Sequence, residues 1–376
     1  MKIAHVITGL NTGGAETILC RFLEGSRELG VEHTVIALGD VGTLSPCVGN
    51  AADLHHLRMR ASGPRLGGLR RLRAIIVRSG AEVVHGWMYH GNIAATLATA
   101  GLGLSRVWGI HHSLYELHSE KRMTRMLIHG GSFLSRYTDR VLYCSTVSSL
   151  QHEALGYKRL RTQVIPNGFD VEALKPDPVA REKIRAEWSL TEDDLVIGLV
   201  ARVHPVKDHE NFLRAARILA DQDPAVRFVL VGDGADASNA SLNELIDRLS
   251  LRDRMRLCGR RTDIAQVNAA LDIAALSSRG EAFPMAIGEA MACAVPCVAT
   301  NVGDVPEIIG ETGVVVPPRD HAALAAGWSR IARLEAAGRR ALGESARQRI
   351  VDRFSMAAMN RRYVELYASL IQEARK

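Results

Sequence analysis

The chain has 376 residues, 47% of them hydrophobic and 23% charged, which suits two soluble domains, each long enough to bury its own core. Net charge is +6, but aromatic residues make up only 5% and none lies from Leu54 to Ala81, where arginine is densest, so nucleic acid is not an expected partner. Cys20, Cys47, Cys144, Cys258, Cys293 and Cys297 contain no C-x-x-C, which predicts buried reduced thiols in a cytoplasmic protein rather than disulfides or metal ligands.

Met1-Lys2 runs directly into IAHVIT with no cleavable signal. Lys2 to Thr8 reads as a buried strand, followed by Gly9-Leu10-Asn11-Thr12-Gly13-Gly14 and a helix from Glu16 to Leu29. Strand, glycine loop and helix bring backbone N–H groups close to a phosphate. Taken alone, the loop is as readily a tight turn, and it lacks the G-x-G-x-x-G dinucleotide pattern. Strands at Thr34–Leu38, Asp53–Leu57, Glu82–His85, Arg106–Ile110, Arg140–Cys144 and Gln163–Ile165 then alternate with helices. These helices are expected near Leu66–Arg78, Asn92–Ala100, Lys121–Arg136 and Val147–Leu155. The alternation predicts a parallel sheet covered on both faces, with ligands beyond the carboxyl ends of its strands. Val83 to Ser105 carries no charge, but its glycines and histidines predict strand, loop and buried helix rather than a membrane span. Two clusters follow strands: Trp87-Met88-Tyr89-His90, read as a loop, and His111-His112-Ser113. A histidine pair at a strand end is more often structural than catalytic. Residues 1–170 carry a net +7, concentrated in Arg58, Arg60, Arg65, Arg70, Arg71, Arg73 and Arg78. That stretch is either a solvated helix face or a face for an anionic membrane surface.

Val164-Ile165-Pro166-Asn167-Gly168-Phe169-Asp170 combines a strand, a proline and an Asn-Gly turn, marking a domain boundary. Lys175 to Asp194 reads as a linker with one helix. Strands follow at Leu195–Val200, Arg227–Val231, Met255–Cys258, Ile273–Leu276, Cys297–Thr300 and Val314–Val316. After the first of them, Arg202 and Lys207 form R-x4-K, two cations suited to a diphosphate. Gly232 and Arg260 follow the next two strands. Asp221-Gln222-Asp223 has the D-x-D form of a metal site but reads as a solvated turn before Pro224, and no metal is expected. Ser277 to Glu307 places Glu281 in a loop, Pro284 in the first turn of a helix, and Glu289 early within that helix. Carboxylates beside an anion site suit hydroxyls better than phosphates, although the same spacing also describes a solvated acidic helix start. The tail from Ala322 is helical with breaks at Gly338 and Gly343, and Phe354, Tyr363, Leu366 and Tyr367 form an apolar stripe.

Glu281-x7-Glu289 with its small-residue helix, the GDVPE segment from Gly303 to Glu307, GGAE at Gly13, IPNGFD at Ile165 and R-x4-K together resemble the retaining glycosyltransferases of family 4. The resemblance covers nearly the whole chain. It implies an α/β, GT-B fold, two Rossmann-like domains with parallel sheets facing a central cleft. Residues 1–168 would face the acceptor, 169–352 would bind the donor, and 353–376 would return to the first domain. It implies a nucleotide diphosphate sugar as donor, a glycan or lipid-linked acceptor, no cofactor beyond the donor substrate, and work in cell-surface polysaccharide or lipopolysaccharide assembly. Arg202 and Lys207 would neutralise the diphosphate, and Gly13 or Gly14 would lie against it. Gly232 and Arg260 would approach the nucleotide, and Glu289 would bind ribose. Glu281, with the backbone of Phe283, Pro284, Met285 and Ala286, would orient the sugar. A histidine at the second cluster would contact the transferred sugar: His111 if the strand ends at Ile110, His112 if it ends one residue later. The loop from Trp87 to His90 would wall the acceptor side, with His90 part of it. The alternatives are a non-catalytic membrane-surface binding module and a GT-B sugar-nucleotide epimerase.

Overall fold

The continuous apolar runs fold as parallel strands, each buried between helices that follow them in the chain. The computed structural model describes residues 1–59, 66–115, 117 and 120–376. Two units emerge, one formed by Met1–Gly168 with Met356–Lys376, the other by Phe169–Ser355.

The first unit begins with β1 (Lys2–Ile7), α1 (Gly14–Ser26), β2 (Glu32–Ala37), α2 (Ser45–Ala51), β3 (Asp53–His56) and α3 (Leu66–Ser79). It continues with β4 (Val83–Trp87), α4 (Met88–Ala98), β5 (Ser105–Ile110), α5 (Arg122–Leu134), β6 (Arg140–Tyr143), α6 (Thr146–Ala154) and β7 (Thr162–Val164). Its sheet runs β3-β2-β1-β4-β5-β6-β7, all parallel, with Ile3 registered against His33 on one side and Val83 on the other. Period-two alternation divides β1 between two cores. Ala4 and Val6 pack with Leu72, Ile76, Ala94 and Ala98, while His5 meets Phe22 on the other face.

The second unit contains α7 (Pro178–Glu187), β8 (Leu195–Val200), α8 (His209–Gln222), β9 (Val226–Val231), α9 (Ala240–Arg248), β10 (Met255–Leu257) and α10 (Ile264–Ala269). Then come β11 (Ile273–Leu276), α11 (Met285–Ala292), β12 (Cys297–Thr300), α12 (Val305–Ile309), β13 (Val314–Val316), α13 (His321–Ala332) and α14 (Ala336–Phe354). The order β10-β9-β8-β11-β12-β13 is again all parallel. Phe212, Phe228 and Trp328 form the aromatic centre of its core. The last helix, α15 (Met356–Ala374), belongs to the first unit, where Tyr363 and Tyr367 are buried against Phe22 and His85. Among the described residues no helix is long and apolar enough to cross a membrane.

Several expectations are corrected. The segment from Lys175 is no linker, because Arg185 on α7 is buried and donates to Asp272, Ala270 O, Thr191 O and Asp194 O, locking α7 into the second unit. Phe354 stays in the second unit beside Phe283 rather than joining the Tyr363 stripe. The reduced-thiol expectation fails at Cys20 and Cys47, which α1 and α2 bring to a Cα separation of 6.4 Å and which are joined as a disulfide. Cys144, Cys258, Cys293 and Cys297 form no disulfide among the described residues. Trp87 to His90 is not a loop, since the strand passes directly into α4 through Met88, whose φ is +59°.

Gly338 and Gly343 do not break the tail either; both lie inside α14. A Cβ at Gly343 would land on the backbone carbonyl of Ala294, so the glycine is what lets α14 press against the end of α11. Helix propensity alone makes Gly343→Ala stabilising by about 1 kcal/mol. The close approach reverses that sign, and we expect a loss of about 1–3 kcal/mol in denaturant unfolding. Unchanged or increased stability would contradict the packing.

Candidate functional site

In the second unit the strand order reverses between β8 and β11, and a doubly wound sheet places its ligand at that switch point. Here the loop after β8, Ala201 to Asp208, meets the loop after β11, Ser277 to Pro284. The backbone N–H of Arg279 donates to Val206 O at 2.7 Å, and its guanidinium forks onto the Asp208 carboxylate with two bonds of 2.7 Å. Ser277 Oγ donates to the Lys207 carbonyl at 2.7 Å. These ties bring Lys207 Nζ to 2.5 Å from Glu281 Oε1, which also accepts from Ser278 Oγ at 2.6 Å. Residues 74 positions apart in sequence thus share one polar centre, with side-chain exposures of 22% for Lys207 and 11% for Glu281.

The neighbouring loops reinforce this edge. Gly232 has φ +149°, and a Cβ there would strike the Ala201 carbonyl, so a glycine is needed for the loops after β8 and β9 to touch. Its N–H donates to Gly259 O at 2.8 Å, bringing in the loop after β10. Asp304 N donates to Ala282 O at 3.2 Å, bringing in the loop after β12.

Not every residue singled out from sequence joins the Lys207–Glu281 contact. Arg202 is exposed, with no ion pair among the described residues, and Arg260 is likewise exposed. Arg261 is consumed by Glu187 and Asp263. Pro284 is the N-cap of α11 rather than part of its first turn, and Met285 and Ala286 follow it half-buried. Phe283 stacks on Phe169 at 5.9 Å, so its ring serves the core and only its backbone is left for a ligand. Glu289 is the fifth residue of an eight-residue helix, later than "early within" it, and half-buried. Sequence reasoning missed Ser278 and the Arg279–Asp208 clamp, which the SSRGE and KDH strings carry without any spacing signal.

In the first unit, β5 ends at Ile110, the strand end for which the resemblance points to His111. Its ring stacks on Trp87 with centroids 5.3 Å apart and planes 6° apart, and its side chain bonds Asn167. Burial lowers its pKa to about 4, so it is a neutral hydrogen-bonding group. His112 is held by Tyr89 OH at 3.2 Å and Glu120 Oε1 at 3.2 Å. His90 is exposed on the first turn of α4. At the N-terminus of α1, Gly13 is the N-cap and Gly14 the first helical residue; the Glu16 carboxylate curls back over the space beside Gly13. A phosphate there would have to displace it. Burial raises the Glu16 pKa.

Cys20, Glu24 and Cys47 are the described group with metal-ligand spacing, but its two sulfurs are bonded to each other. A cavity of about 400 Å³ opens at the amino ends of β8, β11 and β12, lined by Arg181, Glu192, Asp272 and Arg339 among others. Arg181 already pairs with Asp272 and Glu192 there, and Arg202, Lys207, Arg260, Glu281 and Glu289 are not among its lining residues.

Comparison with known proteins gives this edge a context. Residues 12–173 match the family described as Glycosyltransferase Family 4, and residues 194–333 that described as Glycosyl transferases group 1. The chain is 27% identical over 194 residues to N-acetyl-alpha-D-glucosaminyl L-malate synthase of Bacillus anthracis, covering 51% of this chain and 50% of that protein. It is 29% identical over 217 residues to a UDP-Gal:alpha-D-GlcNAc-diphosphoundecaprenol alpha-1,3-galactosyltransferase of Escherichia coli, covering 56% and 54%. The chain therefore spans about half the length of these two relatives. Among solved structures, Anabaena HepE in complex with UDP superposes with a TM-score of 0.83 at 23% identity, over 98% of this chain and 100% of that one. The fold is GT-B.

The buried imidazoles predict how acid acts. Burial holds His5 and His85 well below the ordinary value, and lowers His33, His111 and His152 to about 4. The unfolded chain binds these protons first, so the stability tied to neutral imidazoles is intact above the ordinary 6.5 and is lost as pH falls from there toward 4. All five lie in the first unit, while His209 is the similarly shifted group described in the second. We expect acidification to about pH 5 to destabilise the first unit selectively, by on the order of 1–2 kcal/mol per buried imidazole. Hydrogen exchange at β1 and β4 against β8 and β11 reads this out; equal loss of protection in both units would contradict it.

Proposed function

This chain belongs to the glycosyltransferases of family 4, and we infer that it moves a sugar from a nucleotide diphosphate sugar to a glycan or lipid-linked acceptor with retention of anomeric configuration. The observation that carries the reading is the Lys207–Glu281 pair at the switch point, 2.5 Å apart, with exposed Arg202 on the same loop as Lys207. Breaking the bond between the anomeric carbon and the diphosphate leaves negative charge on the departing phosphate. A guanidinium that forks two oxygens and a mobile ammonium stabilise that charge where it develops. They supply the neutralisation that a divalent cation supplies in metal-dependent transferases, so the proposed reaction is metal-independent.

Lys207 is shared with Glu281 until the diphosphate arrives as a second anionic partner. Glu281, fixed by Ser278 and Lys207, is then directed at sugar hydroxyls, and Glu289 is assigned to ribose hydroxyls. His111, neutral and braced by Trp87 and Asn167, offers a hydrogen bond to the transferred sugar rather than a charge. Retention follows if the acceptor attacks on the face that the diphosphate leaves, which requires no protein nucleophile. A glycosidase-type carboxylate pair fits poorly, because Glu281 is already engaged with a cation. The Escherichia coli relative's name gives a UDP-sugar donor and a lipid diphosphate acceptor, which supports the donor and lipid-linked acceptor proposed here. A role in surface polysaccharide assembly at the cytoplasmic face is part of the same proposal.

With UDP-sugars as donors and release of UDP as readout, Arg202→Ala and Lys207→Ala should each lower turnover about a hundred- to a thousandfold. Arg202 is exposed, so its variant should melt as the wild type does. Wild-type turnover in either variant would remove the diphosphate role.

A further inference from the structure

The helix α5 carries an outward face that neither the fold nor the proposed reaction uses. Only Ile128 and Gly131 of its thirteen residues are buried. Met126 and Phe133, seven residues apart and so on one side of the helix, are 67% and 53% exposed; Met123 is 54% exposed, and Tyr137 just beyond the helix is 53% exposed. Lys121, Arg122 and Arg136 are exposed around them and Arg125 is half-buried. No aspartate or glutamate occurs from Lys121 to Thr138. The Arg136 guanidinium lies over the Phe133 ring at 4.0 Å, and Phe133 meets Tyr137 edge-on at 6.2 Å.

We propose that this face of α5 docks the protein on an anionic phospholipid surface, with Met126, Phe133 and Tyr137 entering the interface and Lys121, Arg122, Arg125 and Arg136 meeting the headgroups. Exposed methionine and aromatic side chains on a helix lose water at the headgroup boundary, and a cluster of cations without acids gives the attraction to anionic lipid. Arginine stacked on an aromatic ring suits that boundary, where one end of the pair is apolar and the other wet. The inference stands apart from the donor chemistry, since no residue of this face takes part in it.

The proposal places the membrane surface on α5 instead of on the arginines from Arg58 to Arg78, which the sequence left as either a solvated helix face or a face for an anionic membrane. Of these, Arg73 donates to Ala98 O and Ala100 O, and Arg71 to Leu57 O. Their guanidiniums are spent on backbone carbonyls, and Arg60 and Arg65 lie outside the described residues.

Vesicle flotation tests it, using equal amounts of phosphatidylcholine and phosphatidylglycerol against pure phosphatidylcholine. The full chain should float with the anionic vesicles and not with the neutral ones. M126D/F133D and, separately, R122E/R125E should each weaken that binding about tenfold or more. Met126, Phe133 and Arg122 are exposed and Arg125 is half-buried, so both variants should keep the wild-type melting curve and the wild-type release of UDP from the donor in the presence of a soluble acceptor. R70E/R78E on α3 should bind as the wild type does. Absence of wild-type flotation, or M126D/F133D floating like the wild type, would overturn the proposal. So would loss of binding in R70E/R78E alone, or a wild-type dimer in sedimentation that M126D/F133D dissolves, which would assign the face to a second copy of the chain.

Discussion

The contact between Lys207 and Glu281 depends on two loops meeting at the point where the strand order of the second unit reverses. Neither side chain could hold the other there unaided. The Arg279–Asp208 fork and the Ser277–Lys207 bond fix the two backbones first, and the ion pair forms on that frame. A pair with little water around it is poor evidence for stability by itself, since desolvation offsets most of the attraction. Its consequence is chemical. In the proposed reaction, a cation held by one carboxylate at the open end of a sheet would exchange part of that contact for an incoming diphosphate, and the carboxylate would be left aimed at the sugar.

The first unit shows the opposite use of polar groups. His5 Nε2 meets His33 Nδ1 at 3.0 Å, His33 Nε2 meets Ser26 Oγ at 2.8 Å, Trp87 Nε1 donates to His5 Nδ1 at 3.1 Å, and His85 Nδ1 meets Tyr367 OH at 2.8 Å. These imidazoles are buried and neutral, and they link the sheet to α1 and α15. Trp87, stacked between His85 and His111, carries the same network out to the strand end. The aromatic residue that looked like an acceptor wall in the sequence is the support beneath His111.

The strands were legible because a parallel strand buried on both faces must be a short continuous apolar run, and runs such as LVIGLV and VRFVLV admit few other readings. The pairing of R-x4-K with the Glu281 loop was legible from family resemblance and strand order. What the sequence concealed were features made by tertiary approach. SPCVGNA has no helical periodicity, yet it forms α2 and carries Cys47 to Cys20. Arg181 and Arg185 look like solvated linker charges until Asp272, far along the chain, is placed beside them. Gly343 reads as a helix breaker because the string does not show the Ala294 carbonyl that needs its missing Cβ. The exposed side of α5 was hidden for the same reason, since a hydrophobic residue in a helix is assumed to face a core.

The central claim is that a donor diphosphate sits at the switch point of the second unit. A crystal structure of the protein with bound UDP tests it most directly. The account predicts diphosphate oxygens within hydrogen-bonding distance of Lys207 Nζ and the Arg202 guanidinium, with Glu289 facing the ribose. A diphosphate seated elsewhere, with Lys207 still paired only to Glu281, would contradict it.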